Sequence, residues 1–267
     1  MIIHVILSSQ KGCGKTFIGW LFAQYIRKYG QRLSIIDTSN NTNSISRFKY
    51  LNAHILPLTN TKEDGTLVYD CQKLFDRILN THNDMLIELV ADAYQNFVFN
   101  LKKDDFAILK EFEERELKLV LHVPISGNDY FKNECLSVAN NLLNTFTKTD
   151  VVVWLNHYPD PVINDRIASH TDMICNMFSD QGSLKHVANL PMFTKSETIT
   201  DDTNQFLIKS VFEENKTFSE LLDPDRYKEA VDPELNGYPL FINSTYQLSF
   251  IRNDFDKILE SVCQVAI

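Results

Sequence analysis

Residues Ile2 to Thr16, reading I-I-H-V-I-L-S-S-Q-K-G-C-G-K-T, constrain the fold more than any other stretch of the chain. Ile2, Ile3, Val5, Ile6 and Leu7 form the apolar run of a strand buried in a parallel sheet. The run opens into a loop of small residues and then a helix, where Phe17, Ile18, Leu21, Phe22, Tyr25 and Ile26 recur at helical spacing. Ser9, Gln10, Lys11, Gly12, Cys13, Gly14, Lys15, Thr16 and Phe17 are the expected phosphate-binding segment. Gly12 and Gly14 let backbone N–H groups curl round an anion, Lys15 reaches the β- and γ-phosphates, and the Thr16 hydroxyl is a ligand for Mg²⁺. The helix adds its positive N-terminal end to the same anion site. A G-K-T triplet alone is common; the strand before it and the helix after it give it weight. Arg27 and Lys28 in the last helical turn, with Gly30 at the expected C′ position, mark where that helix stops.

The chain has 267 residues, enough for a large core in one α/β domain spanning 1–267. Hydrophobic residues make up 44% of it, yet no stretch approaches the ~18 apolar residues a membrane span requires. Strand one begins almost at Met1, which leaves no room for a targeting peptide, and a cytoplasmic location is expected. The five cysteines (Cys13, Cys71, Cys135, Cys175, Cys263) are scattered without a C-x-x-C, and the histidines lack ligand spacing. Neither a disulfide framework nor a zinc site is indicated. Net charge is −9, and the densest basic run is Arg27 to Arg32, so direct DNA binding is disfavoured.

Further along, Arg32–Asp37 reads as a second strand ending in an acid, followed by an Asn-rich turn placed to cap a helix into Phe48 and Leu51. His54–Leu58 reads as a third strand, Thr59–Thr66 as a loop and Leu67–Leu79 as a helix. Asp84–Glu88 is a buried strand ending in an acid, and a charged helical region runs to about Glu116. Its Glu111–Glu116 run reads as a solvated face. Leu117–Pro124 and Asp150–Asn156 read as strands flanking a helix at Asp129–Phe146, and Ser183–Leu190 as a last strand. Residues 223–245 read as an excursion before a closing helix over 246–265. This alternation implies βαβ units, hence a mostly parallel sheet with helices on both faces. Ligands of such sheets lie at strand carboxyl ends, where the loop, Asp37, Glu88 and Asn156 all fall.

These stretches resemble the deviant Walker-A ATPases of the ParA/MinD class. They are most similar to the TraL-type conjugal transfer ATPases within that class. The resemblance is carried by residues 3–16, F-A-Q-Y…K-Y-G-Q (22–31), I-D-T (36–38), V-V-W-L-N-H-Y (152–158) and, loosely, 189–222. It covers residues 1 to about 222 and implies a three-layer P-loop NTPase fold that binds ATP and Mg²⁺. It also implies an ATP-dependent homodimer that engages a protein partner from a DNA-processing or transfer apparatus. In that class a signature lysine crosses the dimer to the partner subunit's phosphates. Its aligned position here holds Gln10, with Lys11 one residue later. The resemblance implies catalytic roles for Lys11 and Asp37 and metal ligation by Thr16, Asp37 and Glu88. Asn156 would read the base, and Pro191 would lie beneath it.

Two departures bear on hydrolysis. The usual Asp-x-Asp after the second strand is Asp37-x-Ser39, and the Walker-B acid is Glu88 rather than Asp. Slow or partner-dependent turnover follows, or an adaptor that binds ATP without turnover; a small-molecule kinase or ligase of the same superclass is a more distant reading. Asp92 is either a switch-loop carboxylate or a helix N-terminal acid. The closing helix carries Leu248, Ile251, Phe255, Ile258, Leu259, Val262 and Val265 on one face and mixed charges on the other. That pattern suits docking on the protein's own core or a partner better than anionic lipid.

Overall fold

Strands that bury successive residues are covered on both faces, and three largely apolar segments here do so. They are β1 (Ile2–Ile6), β6 (Asp84–Glu88) and β8 (Asp150–Asn156). The computed structural model describes residues 1–28, 32–39, 44–61, 63–65, 67–126, 129–156, 172–178, 183–189, 217 and 256–261. In chain order the described elements begin with β1, α1 (Lys15–Lys28), β2 (Leu33–Asp37), β3 (His54–Ile55), β4 (Thr59–Thr61) and β5 (Leu67–Tyr69). They continue with α2 (Gln72–Leu79), β6, α3 (Tyr94–Glu114), β7 (Lys118–Ser126), α4 (Asp129–Thr145), β8 and β9 (Leu184–Asn189). Seven strands form one sheet in the order β3-β2-β6-β1-β7-β8-β9. Each neighbouring pair in it is parallel.

Side-chain alternation divides the core into two layers. Ile3, Val5 and Leu7 face α2, α3 and α4, packing with Phe75, Phe97, Leu101 and Leu142. Ile6 faces α1, with Ile18, Phe22, Val120, Val152 and Trp154. Helices thus cover both faces, as the strand–helix alternation predicts. Leu259, in the described helical stretch 256–261, is buried in the α1-side layer, and Lys28 pairs with Asp256 at 2.5 Å. That part of the expected closing helix docks on the protein's own core. The excursion at 223–245 and Gly30 lie outside the described residues.

One buried row in the α1-side layer is polar. His4 Nδ1 lies 2.9 Å from His122 Nε2, and Trp154 Nε1 lies 3.1 Å from His122 Nδ1. An indole N–H only donates, so His122 accepts at Nδ1 and donates from Nε2 to His4. Burial drives both imidazoles toward the neutral form that this chain of donors requires: His4 is pushed down to about 4 and His122 well below the ordinary range.

Three segments differ from the sequence expectation. Residues 67–69 are not the start of a helix: they pair antiparallel with 59–61, so the expected loop at 59–66 and the first turn of the expected helix form a hairpin. Gly65, at φ +81°, helps reverse the chain, and Asp70 Oδ1 accepts the Gln72 N–H at 2.9 Å where α2 begins. The helical spacing of Leu67 with Cys71 is coincidental; Leu67 is 61% exposed. The capped helix expected after Asp37 is two 3₁₀ turns, Ile45–Arg47 and Lys49–Leu51. Ser44 makes no side-chain cap there, because its hydroxyl goes to Asp37. Only His54–Ile55 of the third strand pairs with the sheet. Within α3, residues 103–106 leave helical geometry, with Asp104, Asp105 and Phe106 at φ +51°, +54° and +59°. The break sets the Phe106 ring edge-on to Phe146 at 5.9 Å.

Candidate functional site

The loop after β1 is held from inside. Gln10 N–H donates to Ser8 Oγ at 3.1 Å, and Ile18 N–H donates to Gly14 O at 3.0 Å at the start of α1. Lys15, only 8% exposed, folds back so that its ammonium donates to Gln10 O at 2.6 Å. Gly14 has φ +104°, and a Cβ there would meet Asn156 Nδ2 at 2.7 Å, so both conformation and space demand glycine. Asn156 in turn donates from Nδ2 to Cys13 O at 3.1 Å, bracing the loop from the end of β8. The Phe17 side chain is core, stacked on Trp20 with ring centroids 5.7 Å apart, which leaves its backbone N–H as its means of touching an anion.

Three oxygen-bearing side chains converge beside the loop because β1, β6 and β2 lie side by side and end at one level. Thr16 Oγ1 donates to Glu88 Oε1 at 2.5 Å, while Glu88 Oε2 accepts the Ile45 N–H at 2.8 Å. Asp37 Oδ1 accepts the Ser39 N–H at 2.9 Å; Oδ2 accepts the Ser46 N–H at 3.1 Å and the Ser44 hydroxyl. Burial pushes the Glu88 carboxyl up to about 7. The negative charge of Asp37 adds to the rise; the Thr16 hydrogen bond, the Lys15 charge and the Ile45 N–H oppose it. Thr38 fastens the two acidic strand ends together, its Oγ1 donating to Glu88 O at 3.1 Å and accepting the Val90 N–H at 2.8 Å.

The donor set fits Mg²⁺. A hydroxyl and two carboxylates are hard oxygen ligands, and Mg²⁺ is held through one or two carboxylates plus phosphate rather than an all-protein cage. No group of three or more His, Cys, Asp or Glu residues suited to a metal occurs among the described residues. A cation between Thr16 and Glu88 would remove the desolvation cost that Glu88 carries.

At the loop mouth, neighbouring residues diverge. Ser9 Oγ donates to Glu134 Oε1 at 3.0 Å, and Gln10 Nε2 donates to Glu134 Oε2, both on α4. Lys11 turns the other way, with Nζ 3.2 Å from Asp92 Oδ2 in the turn after β6. Tyr69 OH, on the β4–β5 hairpin, donates to the same carboxylate at 3.3 Å. Gln10 and Lys11, adjacent in sequence, therefore point to opposite sides of the loop, one toward α4 and the other toward the turn after β6. Asp92 stands in the 3₁₀ turn Ala91–Ala93 that leads into α3. Pro191 lies outside the described residues. Sequence reasoning missed Glu134, Tyr69, Ser44 and Cys135, since none belongs to a spaced motif; only the polar stretch after Asp37 hinted at Ser44.

No family model matches the chain. Its sequence is 23% identical over 220 residues to protein TraL of Escherichia coli, covering 82% of this chain and 86% of TraL. The chain is thus similar to TraL over most of both sequences. Two solved structures are also similar to it. The MinD cell division protein of Aquifex aeolicus gives a TM-score of 0.43 at 14% identity, over 94% of this chain and 98% of MinD. The pNOB8 ParA structure gives 0.45 at 11% identity, over 97% of this chain and 99% of ParA. Among the described residues of this TraL relative, no helix is long and apolar enough to cross a membrane.

Proposed function

We propose that this TraL relative binds ATP with Mg²⁺ and uses it to pair two copies of itself. The ATP-bound pair would engage a protein partner in the cytoplasm during plasmid transfer or maintenance. The observation that carries the reading is the convergence of Lys15, Thr16, Asp37 and Glu88 at the carboxyl ends of β1, β2 and β6, beneath a loop whose glycines and Asn156 brace fix it for an anion. The loop N–H groups and Lys15 would hold the phosphates. Lys15 must exchange Gln10 O for a phosphate oxygen, a gain because charge-assisted bonds are roughly twice as strong as neutral ones. Thr16, Asp37 and Glu88 would hold Mg²⁺, which supplies charge neutralisation at the phosphates when bound. Asn156 and Pro191 would lie toward the base. Lys11, 76% exposed, is free to swing toward a second subunit once it leaves Asp92.

Turnover is expected to be slow. Both Asp37 oxygens accept hydrogen bonds from residues 39–46, and the Ser39 hydroxyl is no base near neutral pH. The same observation favours a second reading, an adaptor that holds ATP without hydrolysing it. Phosphate release measured at rising protein concentration, alone and with plasmid DNA and transfer proteins, separates the two. A rate that climbs more than linearly with protein, or jumps with a partner, supports the switch. Tight ATP binding with no release under any of these conditions supports the adaptor. Absence of ATP binding sinks both.

A further inference from the structure

Cys13 and Cys135 are far apart in sequence but meet beneath the loop. Cys13 lies between Gly12 and Gly14; Cys135 lies on α4 beside Glu134, which grips Ser9 and Gln10. Cys135 Sγ is 3.8 Å from Ser8 Oγ, which accepts the Gln10 N–H at 3.1 Å, and Cys13 Sγ donates to Gln10 O at 3.4 Å, so both thiols border the same turn of the loop. Cys13 Sγ sits 3.8 Å from the Lys15 ammonium. Neither cysteine is in a disulfide. We propose that hydroperoxide converts Cys13 and Cys135 into a reversible disulfide that draws the anion-binding loop onto α4 and removes it from nucleotide.

The chemistry balances with one peroxide. The Cys13 thiolate attacks a peroxide oxygen, the O–O bond breaks, and the departing hydroxide takes a proton to leave as water, giving a sulfenic acid. Cys135 sulfur then attacks Cys13 sulfur, the S–O bond breaks, and a second water leaves with the Cys135 proton. Two thiols lose two electrons and the peroxide gains them. The Cys135 thiol and the Lys15 charge favour the attacking thiolate. Cys71, buried beside the charge of Asp70 and pushed up to about 12, lacks such help. Cys13 and Cys135 are 1% and 0% exposed, which selects a small oxidant over a bulky disulfide. Access is from the side of Gly12, where an added Cβ would meet nothing within 4 Å. An S–S bond of about 2 Å is shorter than any non-bonded contact between two sulfurs, so closure must shift Cys13, and the flanking glycines give way most easily. That shift pulls Cys13 O from Asn156 and moves the loop N–H groups off the anion.

The test treats the full chain with hydrogen peroxide, blocks the remaining thiols, maps disulfides by mass spectrometry without reduction, and titrates a fluorescent ATP analogue before and after. The expected result is a Cys13–Cys135 peptide, an affinity loss of about tenfold or more, and recovery with dithiothreitol. Cys135→Ala, with Cys135→Ser as a second variant, should keep the starting affinity and lose the reversible component. No such peptide, crosslinks only through Cys175 or Cys263, or a disulfide that leaves affinity unchanged would each overturn the proposal. The effect on nucleotide rests on the loop being an ATP site, but the mapped disulfide does not. A reduced protein that binds no ATP yet forms the disulfide would reject the ATP reading alone.

Discussion

Halfway along β1, β7 and β8, the side chains of His4, His122 and Trp154 form a buried hydrogen-bonded row. At the carboxyl ends of β1, β2 and β6, Thr16, Asp37 and Glu88 form another. Both are taken from water by the same sheet, and they respond differently. The histidine row is neutral, and the Trp154 donor fixes which nitrogen donates at each step. The carboxylate cluster holds two acids near Lys15, and its partners are hydroxyls and N–H groups of loops that a cation or phosphate can displace. Desolvation acts on both, lowering His4 to about 4 and raising Glu88 to about 7. A saturated polar row in mid-strand is architecture; a charged one at strand ends is a place for a ligand.

The largest effect should come from breaking the row. His122→Ala removes a fully buried ring and leaves the Trp154 N–H and His4 Nδ1 without their partner. Cavity and orphaned polar groups together should cost about 4 kcal/mol in urea unfolding. ATP affinity of the fraction that remains folded should hold. A loss below about 1 kcal/mol would show that the row is not a saturated structural unit.

Breaking the other cluster should invert that pattern. Lys15→Ala should lower ATP affinity by about 3 kcal/mol, roughly two powers of ten, and leave the unfolding midpoint nearly unchanged. Isothermal titration and urea unfolding on the same preparation read both quantities. Equal losses in the two would erase the distinction between architecture and site.

The two clusters should also pull stability in opposite directions with pH. Glu88 has a folded-state value of about 7 against an ordinary 4.5, so its contribution is full below 4.5 and is lost as pH rises through 7. His4 has about 4 against 6.5, so its contribution is present above 6.5 and is lost as pH falls through 4. Each window corresponds to about 3 kcal/mol, and over the shared range they largely cancel. The rise with pH left in the wild type between pH 4.5 and 6.5 therefore falls to other groups, His122 among them, whose imidazole burial also pushes down. Glu88→Gln should steepen that rise by about 2 kcal/mol over the same range. An unchanged slope in Glu88→Gln would mean that burial does not raise Glu88.

Sequence alone exposed the site's frame and hid its contacts, for a physical reason. Gly12, Gly14, Lys15 and Thr16 act through local backbone geometry, so their spacing is legible. Asp37, Glu88 and Asn156 were legible as strand ends, since parallel strands bring their carboxyl ends to one edge whatever their order. The register that sets His4 against His122, or Cys13 beside Cys135, depends on strand order and helix docking, and neither leaves a period in the chain. The hairpin at 59–69 failed because Leu67, Cys71 and Leu74 happen to sit at helical intervals. Which way Gln10 and Lys11 point was likewise invisible, although it decides which acid each one meets.

That last contact carries the smallest expected stability effect. The Lys11 and Asp92 side chains are 76% and 48% exposed, and pairs of that kind contribute under about 0.5 kcal/mol because water and salt screen them. Lys11→Ala and Asp92→Asn should therefore leave the urea midpoint of the isolated chain within error. ATP-dependent association, followed by sedimentation, should separate them: Lys11→Ala should abolish it, whereas Asp92→Asn should preserve it and lower the protein concentration required. Loss of association in Asp92→Asn as well would mean that the ion pair itself shapes the interface. A stability loss above about 1 kcal/mol in either variant would place the pair with the histidine row, among contacts the fold cannot exchange.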